Sequence, residues 1–329
     1  MNADHITRSL GASARWRPWE IVMWVAIGIV PVVLPQYAAL INEIAILGLF
    51  ALSLDIVLGY AGIVSLGHAA FFGTGAYAAA LFAKHFMPDP LLGLAVGTLA
   101  GALLGALTSP MIVRGTDLTR LMVTMGIALV LMELANRFDQ LTGGADGLQG
   151  VVMAPLLGRF EFDLAARTAS FYSLAVLFLV FIVLRRIVHS PWGLSLQALR
   201  DNRLRLAAIG LSVNTRLSIA YSLGAALAGA AGALLAQTTG FVSLDVLDFH
   251  RSADVLLALV IGGAGWLWGG LIGAIAFKVL HDVISAITPQ YWTFWIGLFL
   301  VVLMLVGRER LVRPWQGLVN RSSAGRGND

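Results

Sequence analysis

Cysteine is absent from the 329 residues, lysine occurs only at Lys84 and Lys278, and charged residues of all kinds make up 12% of the chain. The missing cysteine excludes disulfides, thiolate nucleophiles and thiolate metal ligands. Neither lysine follows a G-x-x-x-x-G run, so there is no Walker A loop and the chain hydrolyses no ATP itself. The six histidines, His5, His68, His85, His189, His250 and His281, show no paired ligand spacing, and no metal site is expected. The charge content lies far below the roughly 25% of an ordinary soluble domain. A soluble fold of that make-up would have too little polar surface to stay dispersed.

What is present is apolar. Hydrophobic residues make up 58% of the chain. Uncharged runs at Ile21–Asn42, Pro90–Val113, Leu217–Leu244, Val255–Phe277 and Val283–Gly307 reach the ~20 residues that a helix needs to cross a bilayer. Shorter ones at Ile56–Ala83 and Thr168–Leu184 join them. The runs are continuously apolar rather than alternating, which excludes a β-barrel and leaves an all-α polytopic helix bundle. The first run follows Arg8, Arg15 and Arg17, as in a signal peptide, but it is long for a signal core and no small-x-small pattern follows. It reads as a retained first span.

Arginine placement orients the bundle. Sixteen of the 20 arginines fall on one side if the N-terminus is cytoplasmic, grouped in the N-terminal tail, at Arg114 and Arg120, between Arg185 and Arg216, and after Arg308. The other side holds Lys84, Arg137, Arg159, Arg167 and Arg251 among the acidic residues Asp89, Asp139, Asp146, Glu161, Asp163, Asp245 and Asp248. Ten segments follow, at 20–37, 41–59, 62–83, 91–112, 119–138, 168–187, 217–237, 252–263, 267–284 and 290–306, with both termini cytoplasmic. Gly262-Gly263-Ala264-Gly265 makes 252–284 either two full spans or a glycine-broken, re-entrant pair. The expected organisation is a cytoplasmic tail at 1–19, a single transmembrane domain at 20–306 with a cytoplasmic loop at 189–216, and a cytoplasmic tail at 307–329. The arginines form clusters rather than the stripe that nucleic acid would require.

The loop that starts at Ser190-Pro191-Trp192-Gly193 repeats Leu196, Leu199, Leu206 and Ile209 near helical spacing, with Arg200, Arg203 and Arg205 on other faces and Gly210 as a stop. The product is a short amphipathic helix that either lies on anionic lipid or docks a soluble partner. Among ionisable residues on the spans, Lys278 and Asp282 are spaced to pair, and Asp55 stands mid-segment. A secondary carrier driven by protons or cations would use Asp55 and Glu133. An intramembrane enzyme would have to rest on Ser65 and His68, one helical turn apart, with no second catalytic cluster. Glycines at Gly59, Gly62, Gly67, Gly73 and Gly75, and at Gly224, Gly229 and Gly232, indicate closely packed helices. The residues alone reach a transport protein without its own motor.

Gly59-Tyr60-Ala61-Gly62-Ile63-Val64-Ser65-Leu66-Gly67-His68-Ala69-Ala70-Phe71-Phe72-Gly73-Thr74-Gly75-Ala76-Tyr77 resembles the signature of the LivM-type permeases of branched-chain amino acid ABC importers. Arg114-Gly115, Val123-Thr124, Leu141-Thr142-Gly143-Gly144-Ala145-Asp146-Gly147, Leu199-Arg200-Asp201-Asn202, Ala207-Ala208-Ile209-Gly210, Ala228-Gly229-Ala230-Ala231-Gly232 and Ile261-Gly262-Gly263-Ala264-Gly265 follow in the order of that family. The likeness covers about residues 40 to 306. It implies a permease subunit in the bacterial inner membrane that works with a second permease, two cytosolic ATPase subunits and a periplasmic substrate-binding protein. The chain itself would then bind no cofactor, ATP being used by its partners. Arg200, Asp201, Asn202, Ala207, Ala208 and Gly210 would couple to the ATPase, and Gly62, Ser65, Gly67, His68 and Thr124 would line the translocation path. Thr142, Gly143, Gly144, Asp146 and Gly147 would form an outer loop. Two departures, Thr116-Asp117-Leu118 in place of an aromatic and Asp55 in place of an amide or apolar residue, bear on the cargo. The same architecture serves urea, amides and aromatic acids.

Overall fold

The computed structural model describes residues 18–163, 165–287, 290, 291, 294, 295, 297, 298 and 301. Among them there is no strand, only isolated β-bridges that join Leu148 to Val242 and Leu156 to Phe160. Helix α1 (Pro18–Val33) leads through a turn at Pro35–Tyr37 into α2 (Ala38–Leu54), which runs on as a π-helical turn over Asp55–Tyr60. Helices α3 (Ala69–His85), α4 (Pro90–Val113), α5 (Asp117–Arg137) and α6 (Arg167–Val188) follow. Two short helices, α7 (Pro191–Asp201) and α8 (Arg203–Ala208), precede α9 (Val213–Thr239), α10 (Phe249–Gly262) and α11 (Leu267–Ile287). Among the described residues, six stretches are long and apolar enough to cross a bilayer: Pro35–Tyr60, Pro90–Val113, Asp117–Arg137, Arg167–Val188, Val213–Thr239 and Leu267–Ile287.

Local chemistry sets several helix starts. Asp89 caps α4, its carboxylate accepting from the backbone N–H groups of Leu91 (2.8 Å) and Leu92 (3.0 Å), and Pro90 fills the first turn, where no donor is needed. Thr116 caps α5 and Asp248 caps α10 in the same way.

The structure departs from the expected segments in two places. The stretch expected as one span at 62–83 is irregular from Gly62 to His68, and its helix begins only at Ala69. Gly62 holds the left-handed backbone that turns the chain (φ +68), and a Cβ on Gly67 would overlap the carbonyl oxygen of Thr124. The 17 residues of α3 cover about 25 Å, less than the ~30 Å hydrocarbon core. The glycine-broken pair is also asymmetric: α10 has 14 residues, about 21 Å, whereas α11 has 21, about 31 Å. The segment expected at 290–306 and both expected tails lie largely outside the described residues.

Close packing is built from small residues. Gly93, Gly97, Gly101 and Gly105 recur every fourth residue along α4 and lie against α9; a Cβ on Gly97 would stand 2.7 Å from the Ala233 Cβ, and one on Gly101 would overlap the Ala225 carbonyl oxygen. Gly75 of α3 meets Gly229 of α9 backbone to backbone. In lipid, where burial of apolar surface gives no net gain between helices, such contact is what holds them. The opposite face of α4, with Leu99, Leu103 and Leu107 each more than 60% exposed, is left for hydrocarbon. At one end of the bundle, Tyr172 donates to Gln237 Oε1 (3.0 Å) and Gln237 donates to the Pro90 carbonyl (2.7 Å), joining α6, α9 and α4. Ser173 and Thr238 meet Asn42 at 2.6 and 3.1 Å.

Contacts divide the chain into Met1–Ile275 and Ala276–Asp329. Within the second unit, Lys278 Nζ and Asp282 Oδ1 form the expected i, i+4 pair at 3.1 Å.

Candidate functional site

The irregular stretch Gly62–His68 places its polar residues in a closed, apolar setting. His68 is fully buried, stacked on Phe50 with ring centroids 5.5 Å apart, and its Nε2 lies 2.9 Å from Ser53 Oγ. Ser53 donates its hydroxyl hydrogen to the Phe50 carbonyl (2.6 Å), so Nε2 is the donor to Ser53. The partner of His68 is therefore Ser53 on α2. No nucleophile–base pair forms with Ser65, whose Oγ is buried and, like His68 Nδ1, has no hydrogen-bond partner among the described residues. Thr124 of α5 accepts from the Leu66 backbone N–H (3.3 Å), and the Ala69 N–H at the start of α3 donates to Ser252 Oγ of α10 (2.9 Å). The irregular entry to α3 thus meets α2 through His68, α5 through Leu66 and Gly67 at Thr124, and α7 through Gly62 at Arg200, with Ser65 buried between them in sequence.

The loop expected to carry one amphipathic helix carries two. Ser190 caps α7, with Pro191 in its first turn, and Asn202 breaks the helix with extended backbone before its Oδ1 accepts from the Arg205 N–H (3.0 Å) to start α8. Leu196, Leu199 and Leu206 are buried, as the spacing predicts. Ile209 is not: it is 74% exposed, because Asn202 re-aims the second helix. Leu204 is 84% exposed, and Asp201, Ala207, Ala208 and Gly210 are exposed beside them. The result is a small apolar surface at the arginine-rich end of the bundle. Arg200 and Arg203 reach the other way: Arg200 Nη1 donates to the Gly59 carbonyl (2.5 Å) and Arg203 Nη2 to the Gly62 carbonyl (3.4 Å).

Sequence reasoning missed two buried arginines at this end. Arg120, counted there as a solvated topology charge, is 1% exposed; it donates to the Ile112 and Val113 carbonyls (2.9 and 3.2 Å) and pairs with Asp117 at 2.9 Å. A cation on the last carbonyls of α4 satisfies groups that the helix leaves open and opposes its dipole. Arg185 of α6 pairs with Glu20 of α1 at 2.7 Å, and the Trp268 indole N–H of α11 donates to the same carboxylate at 3.2 Å. The signal was present in Glu20, an acid inside an apolar helix.

At the opposite end, Thr142 is buried and donates to the carbonyls of Ala135 (2.5 Å) and Phe138 (2.9 Å). Gly143, Gly144 and Gly147 all have positive φ, and Leu148 bridges to Val242 beyond α9. Asp146 is exposed beside them. A recess of about 530 Å³ opens nearby, lined by Glu161, Phe162, Asp163, Gln237, Thr238 and Thr239 among others. The two carboxylates that a carrier would use are not brought together: Asp55 is fully buried at the arginine-rich end of α2, and Glu133 is exposed near the other end of α5.

Residues 36–306 match the family described as branched-chain amino acid transport system / permease component. The chain is 29% identical over 308 residues to the high-affinity branched-chain amino acid transport system permease protein LivM of Escherichia coli K12, covering 84% of this chain and 71% of that one. It is 29% identical over 228 residues to the autoinducer 2 import system permease protein LsrC of an Enterobacter species (67% and 63%). A probable branched-chain amino acid transport permease protein LivH of Methanocaldococcus jannaschii is 24% identical over 249 residues (73% and 77%). No solved structure matches. With a family match over most of its length and several apolar helices long enough to span a bilayer, the chain is a multi-pass membrane protein and a transport subunit, not an enzyme, and it belongs to the family of branched-chain amino acid transport system permease components.

Proposed function

We propose that the chain is the permease subunit of an ATP-driven importer in the bacterial inner membrane, and that α7 and α8 are where its motor acts. In this reading both termini are cytoplasmic, residues 20–306 form one permease domain of about ten membrane segments, with 252–284 either two full spans or a glycine-broken pair, and 189–216 is the coupling loop. Its partners are a second permease, two cytosolic ATPases that use the ATP, and a periplasmic binding protein that delivers the solute. The cargo is a branched-chain amino acid or a related small polar solute. LivM is named for branched-chain amino acid transport and LsrC for import of autoinducer 2.

The observation that carries the reading is the surface of Leu204, Ala207, Ala208 and Ile209, with Asp201 and Gly210 beside it. It is apolar and exposed, on a loop whose other residues grip the bundle. A helix that only lay on lipid would not need Arg200 and Arg203 turned inward. The path would run past Gly62–His68 and Thr124, and the recess near Thr142–Gly147 would receive the solute.

Co-purification of the ATPase subunits with this chain tests the docking assignment. Leu204→Glu and Ile209→Glu should each release the ATPases while the permease remains inserted. ATPases that stay bound in both variants would overturn it.

A further inference from the structure

Three separate pieces of backbone meet at one buried carboxyl. Asp55 opens the π-helical turn at the end of α2 and is fully buried; its Oδ1 accepts from the Gly265 backbone N–H at 2.7 Å. Gly265 lies in the break between α10 and α11 with left-handed backbone (φ +82). Gly59, one turn along from Asp55, has no room for a side chain, because a Cβ there would overlap both Asp55 Oδ1 and the Gly265 nitrogen. Its carbonyl, left without the usual α-helical ladder by the π-turn, accepts from Arg200 Nη1 of α7 at 2.5 Å. A Cβ on Gly265 would stand 2.9 Å from the same Arg200 nitrogen.

We infer that Asp55, Gly59, Gly265 and Arg200 form a latch through which α7 holds the π-turn of α2 and the glycine break before α11 as one unit. The inference rests on the reading of α7 and α8 as the coupling loop. A displacement of α7 beyond the reach of the Arg200 side chain pulls on the Gly59 carbonyl while that bond persists, and the Asp55–Gly265 bond carries the glycine break along with the π-turn. π-Turns and left-handed glycines are the places in a helical bundle where the chain can change course without breaking a long hydrogen-bonded run. Asp55 is then a positioning residue: it acts by accepting a hydrogen bond, and its role needs no ion or proton to be carried. Its second oxygen, Oδ2, is buried with no hydrogen-bond partner among the described residues.

The test uses the assembled importer, with permeases, ATPases and binding protein in proteoliposomes, and reads both ATP hydrolysed and solute taken up. Asp55→Asn keeps an oxygen acceptor for Gly265 and should stay within about twofold of the parent. Asp55→Leu and Arg200→Met should raise ATP hydrolysed per solute by about tenfold or more, the factor that loss of one hydrogen bond to a charged group corresponds to. Arg200→Lys should recover part of the coupling. If Asp55→Asn is as damaging as Asp55→Leu, an ionisable group is needed there and the latch is wrong. Normal coupling in Arg200→Met also overturns it, and because Arg200 lies on the extramembrane helix α7, that variant decides the matter even if Asp55→Leu does not insert. Uptake by the parent complex that ignores ATP would instead refute the importer reading, separately from the latch.

Discussion

Removing one side of the Glu20–Arg185 pair should be among the most destabilising single changes in the described bundle. The two side chains are 7% and 8% exposed and 2.7 Å apart, and they tie α1 to α6 where Trp268 ties both to α11. Arg185→Met keeps most of the volume and takes the guanidinium away from the Glu20 carboxylate. Breaking a buried pair from one side costs about 3–5 kcal/mol. At roughly 2–4 °C per kcal/mol for a chain of a few hundred residues, the unfolding midpoint in detergent should fall by about 10 °C. Combining it with Glu20→Gln also removes the buried carboxylate and still gives Trp268 an acceptor, so the double variant should recover most of that loss. Scanning fluorimetry on the intrinsic tryptophans reads all three proteins. A double variant as unstable as Arg185→Met, or a single variant within about 2 °C of the parent, would refute the buried-pair reasoning.

Other consequences are sharper in contrast than alone. Gly101→Val puts a branched side chain onto the Ala225 carbonyl and should abolish stable expression, whereas Gly126→Ala, which meets nothing within 4 Å, should be neutral in the same expression assay. Asn202→Ala removes the cap of α8 and should cost about 1 kcal/mol locally, seen as several-fold faster amide exchange across Arg203–Ala208 with the spans unaffected. Thr124→Val deletes the acceptor for Leu66 N–H and should slow uptake more than it lowers the unfolding midpoint, if the entry to α3 lines the path.

The spans were legible because hydropathy registers solvent, and lipid is the solvent of most of this chain. The end of α4, expected at 112 and found at Val113, and the run of α6, expected over 168–187 and found over Arg167–Val188, are marked by arginines and caps that the sequence displays. The break before Ala69 was not legible, since Ile56–Ala83 is uncharged throughout apart from His68 and the route of the backbone depends on Gly67 meeting Thr124, 57 positions away. Arg120 misled for the same reason. Its type indicates an exposed charge near a helix end, and only the arrival of the α4 carbonyls makes a buried cap of it. The split between α7 and α8 did have a signal, because Asn202 is a good helix cap, but the leucine spacing continued through it. The glycine stripe of α4, one residue in four, could have been read directly as a packing face.

The central claim is that this permease has no motor of its own and is moved through α7 and α8. Uptake of labelled leucine or a related solute into proteoliposomes measures it most directly, with and without the ATPase subunits and with a protonophore present. The account predicts uptake that requires the ATPases and ATP and is indifferent to the protonophore. Uptake that persists without the ATPases and collapses with the protonophore would contradict it.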